Sequence, residues 1–583
     1  MNYPVWYLPE VGGGMLIALI AILHVFVSHF AVGGGLYLIY AEKKGLREHR
    51  QDILAFTKRH ARFFLLLTMV FGSITGVGIW FIIALVNPAA TSLLIHIFVF
   101  GWAAEWVFFV VEIVAAFVYF YMFDKMSPAN HLRVGWVYFI SAWMSLFLIN
   151  GIIGFMLTPG SWLENGNFWS GFFNPSFWPS LGLRTFIAIM LAGVYGYLSA
   201  SFTRETEVRL AMTRFSGAWS LGALLASVPF AWWYVAALPE PAMGLVLGKS
   251  PTIVAAVQWG TIGTAVLLVI ILLAGIIKPV LNLRPVAAAA MICALISMGA
   301  FEWIREAARR PYAINEVMYS NMIRKDDLSR LADQGFLQTA VWVQGRDLNQ
   351  DTQKAAGEEL FIQQCYACHT AGGFNNDLKA QTARMSYSAM SSYIKRIHEV
   401  RYFMPPFAGT EAEAETLAAY LVGEWHGKDV ALPAKQAGVI SGDRLFEQHC
   451  AACHVPEDLH ETLAALEAGE VVDLLGRLDE ISAEMEPFTG TEEEAKVLAG
   501  FIRGEGTAPV VVVPDGALLF EEQCAVCHDS AELGATLTGW ERPALRDALD
   551  RLEELSEEMP PYEGSPEEKD ALADHLFTLG RNQ

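Results

Sequence analysis

The chain has 583 residues, 54% of them hydrophobic, with a mean hydropathy of +0.35 and a net charge of −21. This is too apolar for an ordinary soluble protein of its size, and no nucleic-acid partner is expected of so acidic a chain. Residues 1–350 hold 23 Lys/Arg against 18 Asp/Glu, whereas residues 351–583 hold 17 against 43, so the two regions face different solvents.

The first region reads as a membrane domain, because apolar runs of about 20 residues, enough to cross roughly 30 Å of hydrocarbon, recur along it. Eight spans are expected, at about 13–40, 62–87, 93–123, 134–157, 181–202, 216–237, 252–277 and 284–305. The 41–62 loop is rich in Lys and Arg, and Lys125, Arg133, Arg204, Arg209, Arg214, Lys278 and Arg284 mark the other loops on that side. The intervening loops, including the aromatic TPGSWLENGNFWSGFFNPSFWPS, are nearly free of basic residues. The positive-inside rule then places both termini outside the cytoplasm. The first span is too long for a removed signal peptide and lacks a small-residue cleavage pattern, so it is expected to be a retained anchor. Ionisable groups at membrane depth are costly and mark function by default. The candidates are His24, His29, His96, Glu105, Glu112 and the pair Glu302 and Glu306. The bland alternatives are satisfied structural histidines, packing for Cys293 and, for FEWIREAARRPY, a span ending in snorkelling charges.

The second region is a triple repeat. GEELFIQQCYACH, GDRLFEQHCAACH and GALLFEEQCAVCH align residue for residue, with motif histidines His369, His454 and His528. C-x-x-C-H reads as covalent haem c attachment, two thiols bonding the porphyrin and the His ligating iron. The thiols are Cys365 and Cys368, Cys450 and Cys453, and Cys524 and Cys527, six of the seven cysteines. A zinc site would need further ligands at spacings the chain does not supply. Downstream of each motif a methionine precedes a Pro-containing turn: Met404 in MPPF, Met485 in MEPF and Met559 in MPPY, 35, 31 and 31 residues after the histidine. A thioether is a soft sixth ligand that raises the haem potential, and an amphipathic helix closes each unit. The pattern resembles small class I cytochrome c domains. Haem c is attached outside the cytoplasm, where the charge rule also places the C-terminus.

The membrane region resembles subunit I of the cytochrome bd quinol oxidases. EAARRPYAINEV (306–317) is similar to the E-x-G-R-Q-P-W motif of that family, with Glu306, Arg309, Pro311 and Tyr312 on its Glu, Arg, Pro and Trp. LIALIAILHVFV resembles the first helix, EWVFFVVEIVAAFVYFYMFDKM the third, and HLRVGWVYFISAWMSLFLINGIIGFMLTP the fourth, the last carrying His131 and Asn150 at matching places. The resemblance implies that His24 and Glu306 are axial ligands of high-spin haems and that Glu105, Glu112 and Asn150 serve proton delivery. Arg309 suits a haem propionate. It also implies haem b and possibly haem d, and a second membrane subunit. Three departures qualify it. Arg184 and Thr261 stand where the low-spin haem ligands are expected, only PEPAMGLVLGKSP replaces the quinol-binding loop, and a polar exit replaces the ninth span.

The expected fold is therefore all-α: a transmembrane bundle over 1–345, then three cytochrome c-like domains over 350–430, 436–506 and 510–583. The expected function is a respiratory haem oxidoreductase of the cell membrane, in which three external c haems feed high-spin haems that reduce oxygen. Its partners would be the lipid bilayer, a second membrane subunit and a redox protein, possibly a basic one. The rival readings are an electron-transfer subunit without oxygen chemistry, linking a quinone pool or partner complex to external acceptors, and a haem-bearing assembly subunit.

Overall fold

The computed structural model describes residues 3–343 and 352–428 continuously, then 456–463, 466–481, 492–504, 516–525, 527–556 and 564–581, with single residues between these stretches. Cys453 lies outside the described residues. The described chain forms two compact units, 1–381 with 401–420, and 382–400 with 421–583.

Among its described residues the first unit contains eight helices long and apolar enough to cross a membrane. They are α1 (Gly13–Arg47), α2 (Gln51–Val86), α4 (Val99–Tyr121), α5 (Pro128–Leu157), α6 (Phe177–Ser201), α7 (Thr206–Ala236), α8 (Thr252–Ile277) and α9 (Arg284–Ala307). A shorter apolar helix, α3 (Pro88–Ile97), precedes α4. The chain is thus a polytopic helical membrane protein, as its apolar runs predict.

Two spans differ from the sequence expectation. The basic stretch 41–62 is helical except for a tight turn at 48–50, where His49 takes φ 54. Its pattern is amphipathic: Ile53, Phe56, Thr57 and His60 are buried while Lys58, Arg59 and Arg62 are exposed, so the helices extend past the apolar core with charges outward. The run at 93–123 is broken at Phe98, a fully buried ring 4.9 Å from Phe155. Asn87 restarts the chain by capping α3 through Ala90 N, with Pro88 at the first helical position.

Small residues set the helix spacing. In the Gly33-Gly34-Gly35 run of α1, a Cβ on Gly33 would stand 2.0 Å from the Ala188 carbonyl oxygen of α6. One on Gly34 would stand 2.5 Å from the Phe64 ring, and one on Gly35 2.4 Å from the Tyr138 ring. One glycine run thus lets α1 meet α2, α5 and α6 at the bundle centre.

After α9 a small hairpin, β1 (Tyr312–Ile314) and β2 (Met318–Tyr319), folds back antiparallel. Beyond it come α10 (Gln353–Gln364), which carries the first repeat into its motif, and α11 (Glu411–Ala419), which closes that repeat. Thr410 and Glu413 form a capping box on α11. Each repeat's leading glycine faces its closing helix. A Cβ on Gly357 would stand 2.3 Å from Tyr420 Cβ, one on Gly442 2.2 Å from Phe501 Cβ, and one on Gly516 2.0 Å from the Ala571 carbonyl oxygen. The glycine that opens all three repeats is there because two helices cross without room for a side chain.

Candidate haem-binding sites

The three C-x-x-C-H motifs share one local geometry. The Phe of the Leu-Phe step is buried in each, and its carbonyl accepts from the first cysteine's N–H: Phe361 from Cys365 at 2.9 Å, Phe446 from Cys450 at 2.8 Å and Phe520 from Cys524 at 2.8 Å. The motif His N–H then donates to the first Cys carbonyl at 3.0 Å in all three. The leading helix, anchored by its Phe, therefore delivers the first cysteine and the histidine on one tight turn.

At the first motif His369 is buried, and its Nδ1–H donates to the Asn376 carbonyl at 3.2 Å. This fixes the ring and leaves Nε2 as the ligating nitrogen. Burial lowers its pKa to about 4, with nearby Arg310 adding to the effect, so the imidazole is held in its neutral, ligating form. Burial also pushes the Cys365 thiol up to about 12. Neutral imidazole with two adjacent thiols fits covalent haem c. Among the described residues no cluster of His, Cys, Asp or Glu forms a metal-ion site of the zinc kind. Met404, Met485 and Met559 are each half-buried in the loop before the closing helix of their repeat.

In the membrane region His24 is half-buried, and its Nδ1 lies 3.1 Å from Thr75 Oγ1. The Thr75 hydroxyl spends its proton on the Phe71 carbonyl at 2.8 Å, so it accepts from His24 and leaves Nε2 free as an iron ligand. Gly76 lies beside the ring, where a Cβ would come within 3.1 Å of His24 Cε1. Sequence reasoning missed Thr75, because a threonine in an apolar run carries no motif.

The two glutamates of the α9 end are separated by their surroundings. Glu302 is buried and held on both sides, Oε1 being 3.0 Å from Arg184 Nη1 and Oε2 accepting from Arg305 Nε at 2.9 Å. The side chain of Glu306 is 54% exposed, and its one ion-pair partner among the described residues is Arg309. Glu306 is the carboxylate with room for a ligand. The buried Arg309 guanidinium contacts Glu306, the Ala313 carbonyl at 2.6 Å and Met156 Sδ at 3.3 Å. Its Nε has no hydrogen-bond partner among the described residues.

The proposed proton-path residues lie along α4 and α5. Glu112 is buried 3.1 Å from Tyr138 Oη, which itself donates to the Ala31 carbonyl at 2.9 Å; Glu105 is half-buried two turns away on the same face of α4, and Asn150 donates to the Phe177 carbonyl at 2.9 Å. His131 is tied to Glu42 at 2.8 Å, and Tyr119 donates to the same carboxylate at 2.7 Å. Glu42 reads in sequence as one more headgroup charge in AEKKG, and only the fold buries it. Of the remaining candidates, His29 is buried with Nδ1 on the Val25 carbonyl at 2.9 Å and Nε2 without a partner among the described residues. His96 is exposed and bonds the Ser92 carbonyl at 2.8 Å. His60, not singled out by sequence, is buried with Nδ1 2.7 Å from Ser199 Oγ.

Residues 15–259 match the family model of cytochrome bd terminal oxidase subunit I, and residues 352–421 and 512–576 match that of cytochrome c oxidase, cbb3-type, subunit III. The structure of bd oxidase from Geobacillus thermodenitrificans aligns at 16% identity over 52% of this chain and 89% of that chain, with a TM-score of 0.45. No curated protein matches the chain. The two family matches, with the eight apolar helices, support a membrane haem oxidoreductase of the electron-transport class. The chain is similar to cytochrome bd subunit I over residues 15–259 and to the cbb3-type cytochrome c subunit over 352–421 and 512–576. The subunit I match contains His24, Glu105, Glu112, Asn150 and Arg184 and ends before Glu306, while the second repeat falls between the two cytochrome c matches.

Proposed function

We propose that the protein is a terminal oxidase subunit that receives electrons through three covalent c haems, not from quinol, and reduces oxygen within its membrane region. The observation that carries this reading is the buried ion pair of Arg184 and Glu302. It puts a guanidinium where the resemblance expects a low-spin haem ligand, and a guanidinium, permanently protonated, cannot ligate iron. The short 237–251 connection between α7 and α8, where the resemblance expects the quinol-binding loop, supports the same reading.

His24 and Glu306 would hold the membrane haems, of b or d type, and Cys365, Cys368, Cys450, Cys453, Cys524 and Cys527 the c haems, with Met404, Met485 and Met559 as sixth ligands. Bound haem supplies the redox-active iron and, at the high-spin positions, an open coordination site for oxygen. Thr75 orients the His24 ring. Arg309 steadies the Glu306 carboxylate. Tyr138, whose hydroxyl proton goes to the Ala31 carbonyl, accepts from a protonated Glu112 and so holds its proton ready to pass, with Glu105 and Asn150 further along the route. The c-type domains would lie outside the cytoplasm, at 350–430, 436–506 and 510–583. A second membrane subunit of the bd type would cover part of the apolar surface, and a soluble redox protein would meet the acidic repeats.

The deciding measurement is a carbon monoxide difference spectrum of the reduced protein. CO should shift the membrane haem bands, and the shift should be lost in His24→Ala or Glu306→Ala. Bands that ignore CO would mean fully coordinated haems and an electron-transfer subunit without oxygen chemistry.

A further inference from the structure

The first repeat has a place on the membrane region that the other two repeats lack the residues to occupy. The N-terminal segment ahead of α1 runs along its haem-binding motif. Leu8 N–H donates to Tyr366 Oη at 2.8 Å, and Tyr366 Oη donates to the Trp6 carbonyl at 3.2 Å. The Tyr7 and Tyr366 rings meet edge-on at 4.9 Å, and Phe374 N–H donates to the Glu10 carbonyl at 2.7 Å. Glycines keep the approach close: a Cβ on Gly373 would stand 2.3 Å from the Glu10 carbonyl oxygen, and one on Gly14 3.1 Å from the Ala367 carbonyl oxygen. On the other flank Cys368 Sγ lies 3.9 Å from Ser320 Oγ. Ser320 N–H bonds the Pro311 carbonyl at 2.9 Å, so this flank is tied to the turn that follows Glu306.

Tyr366, 1% exposed, is the centre of this contact. Its counterparts in CAACH and CAVCH are Ala451 and Ala525, and neither motif is followed by anything like the Gly372-Gly373-Phe374 loop. Only the first repeat has the hydroxyl and the loop that the segment engages. A thioether at Cys368 joins the porphyrin directly to the side chain that touches Ser320, and electron tunnelling falls steeply with distance.

We propose that residues 6–14 and the hairpin turn at Ser320 are a built-in seat for the first repeat, which makes that repeat the station from which electrons enter the membrane region at the Glu306 end. The inference rests on the reading that the c haems feed the membrane haems. In each step the ferrous haem at Cys365, Cys368 and His369 loses one electron and the ferric haem at Glu306 gains it, the supply coming from a reduced soluble redox protein through the other repeats.

The test is anaerobic stopped-flow mixing of the full-length holoprotein with a reduced soluble cytochrome too large to reach the membrane haems, followed separately in the c-type and membrane haem bands. In the double variant Cys365→Ala with Cys368→Ala, the two remaining c haems should still be reduced while the membrane haems stay oxidised. Membrane haems that follow at the wild-type rate would overturn the proposal in favour of another repeat. Membrane haems that stay oxidised in the wild type while its c haems reduce would overturn the c-fed reading itself, and the proposal with it. Gly373→Val keeps every haem ligand and wedges the seat. It should retain the wild-type c haem content, speed hydrogen exchange at the Phe374 amide and slow membrane haem reduction. Unchanged exchange and an unchanged rate in this variant would also overturn the proposal.

Discussion

Arg184 on α6 and Glu302 on α9 form an ion pair at 3.0 Å, both side chains under a tenth exposed, and Arg305 closes on the same carboxylate from the other side. A buried carboxylate between two guanidiniums is stable only while each charge keeps its partner, and that makes the cluster a sensitive probe of the membrane region.

Glu302→Gln leaves the buried Arg184 and the half-buried Arg305 guanidiniums without this carboxylate and should cost about 3–5 kcal/mol of stability. Replacing both partners, Arg184→Met with Glu302→Leu, should cost less than either single change. Thermal inactivation of the detergent-solubilised protein compares the three, and a double variant weaker than both singles would show that the pair does not act as a unit.

His24→Ala and Glu306→Ala should each remove or alter a non-covalent membrane haem and leave the c haems in place. Thr75→Val, which removes the hydroxyl that accepts from the His24 ring, should weaken haem retention by roughly 10- to 100-fold without touching a ligand. Pyridine haemochrome analysis of washed protein reads all three variants. Equal b or d haem content in the two alanine variants would refute the ligand assignment.

Three motifs should carry three covalent haems per chain. Intact mass of the denatured, haem-stained protein checks the number, and any other iron-porphyrin increment excludes it.

Quinol analogues that block quinol-fed oxidases should inhibit poorly, because the 237–251 connection leaves no counterpart to the loop they occupy. Inhibition at stoichiometric dose would place a quinol site elsewhere in the protein.

The 43 acidic against 17 basic residues of 351–583 should steer a basic electron donor. Such steering raises association by roughly 10- to 1000-fold at low salt and is screened over roughly 8 Å at physiological salt. Stopped-flow reduction by a basic cytochrome should therefore slow steeply with added salt, and a rate indifferent to ionic strength would assign the charge to solubility.

By itself the sequence determined the eight spans, the repeat register and the haem c motifs. These rest on local physics: hydrophobic run length, and the spacing of two thiols and an imidazole on one turn. It also brought Glu302 and Glu306 forward together, and only the resemblance to the bd family singled out Glu306, since four residues along one helix the two look alike. Only the tertiary structure decided that Glu302 is locked by Arg184, more than a hundred positions away, while Glu306 stays open. The same holds for Thr75 behind His24, for Glu42 buried against His131 and for Tyr366 under the N-terminal segment. Burial and hydrogen-bond partnership depend on which helices meet, and no local pattern encodes a neighbour brought in from another part of the chain.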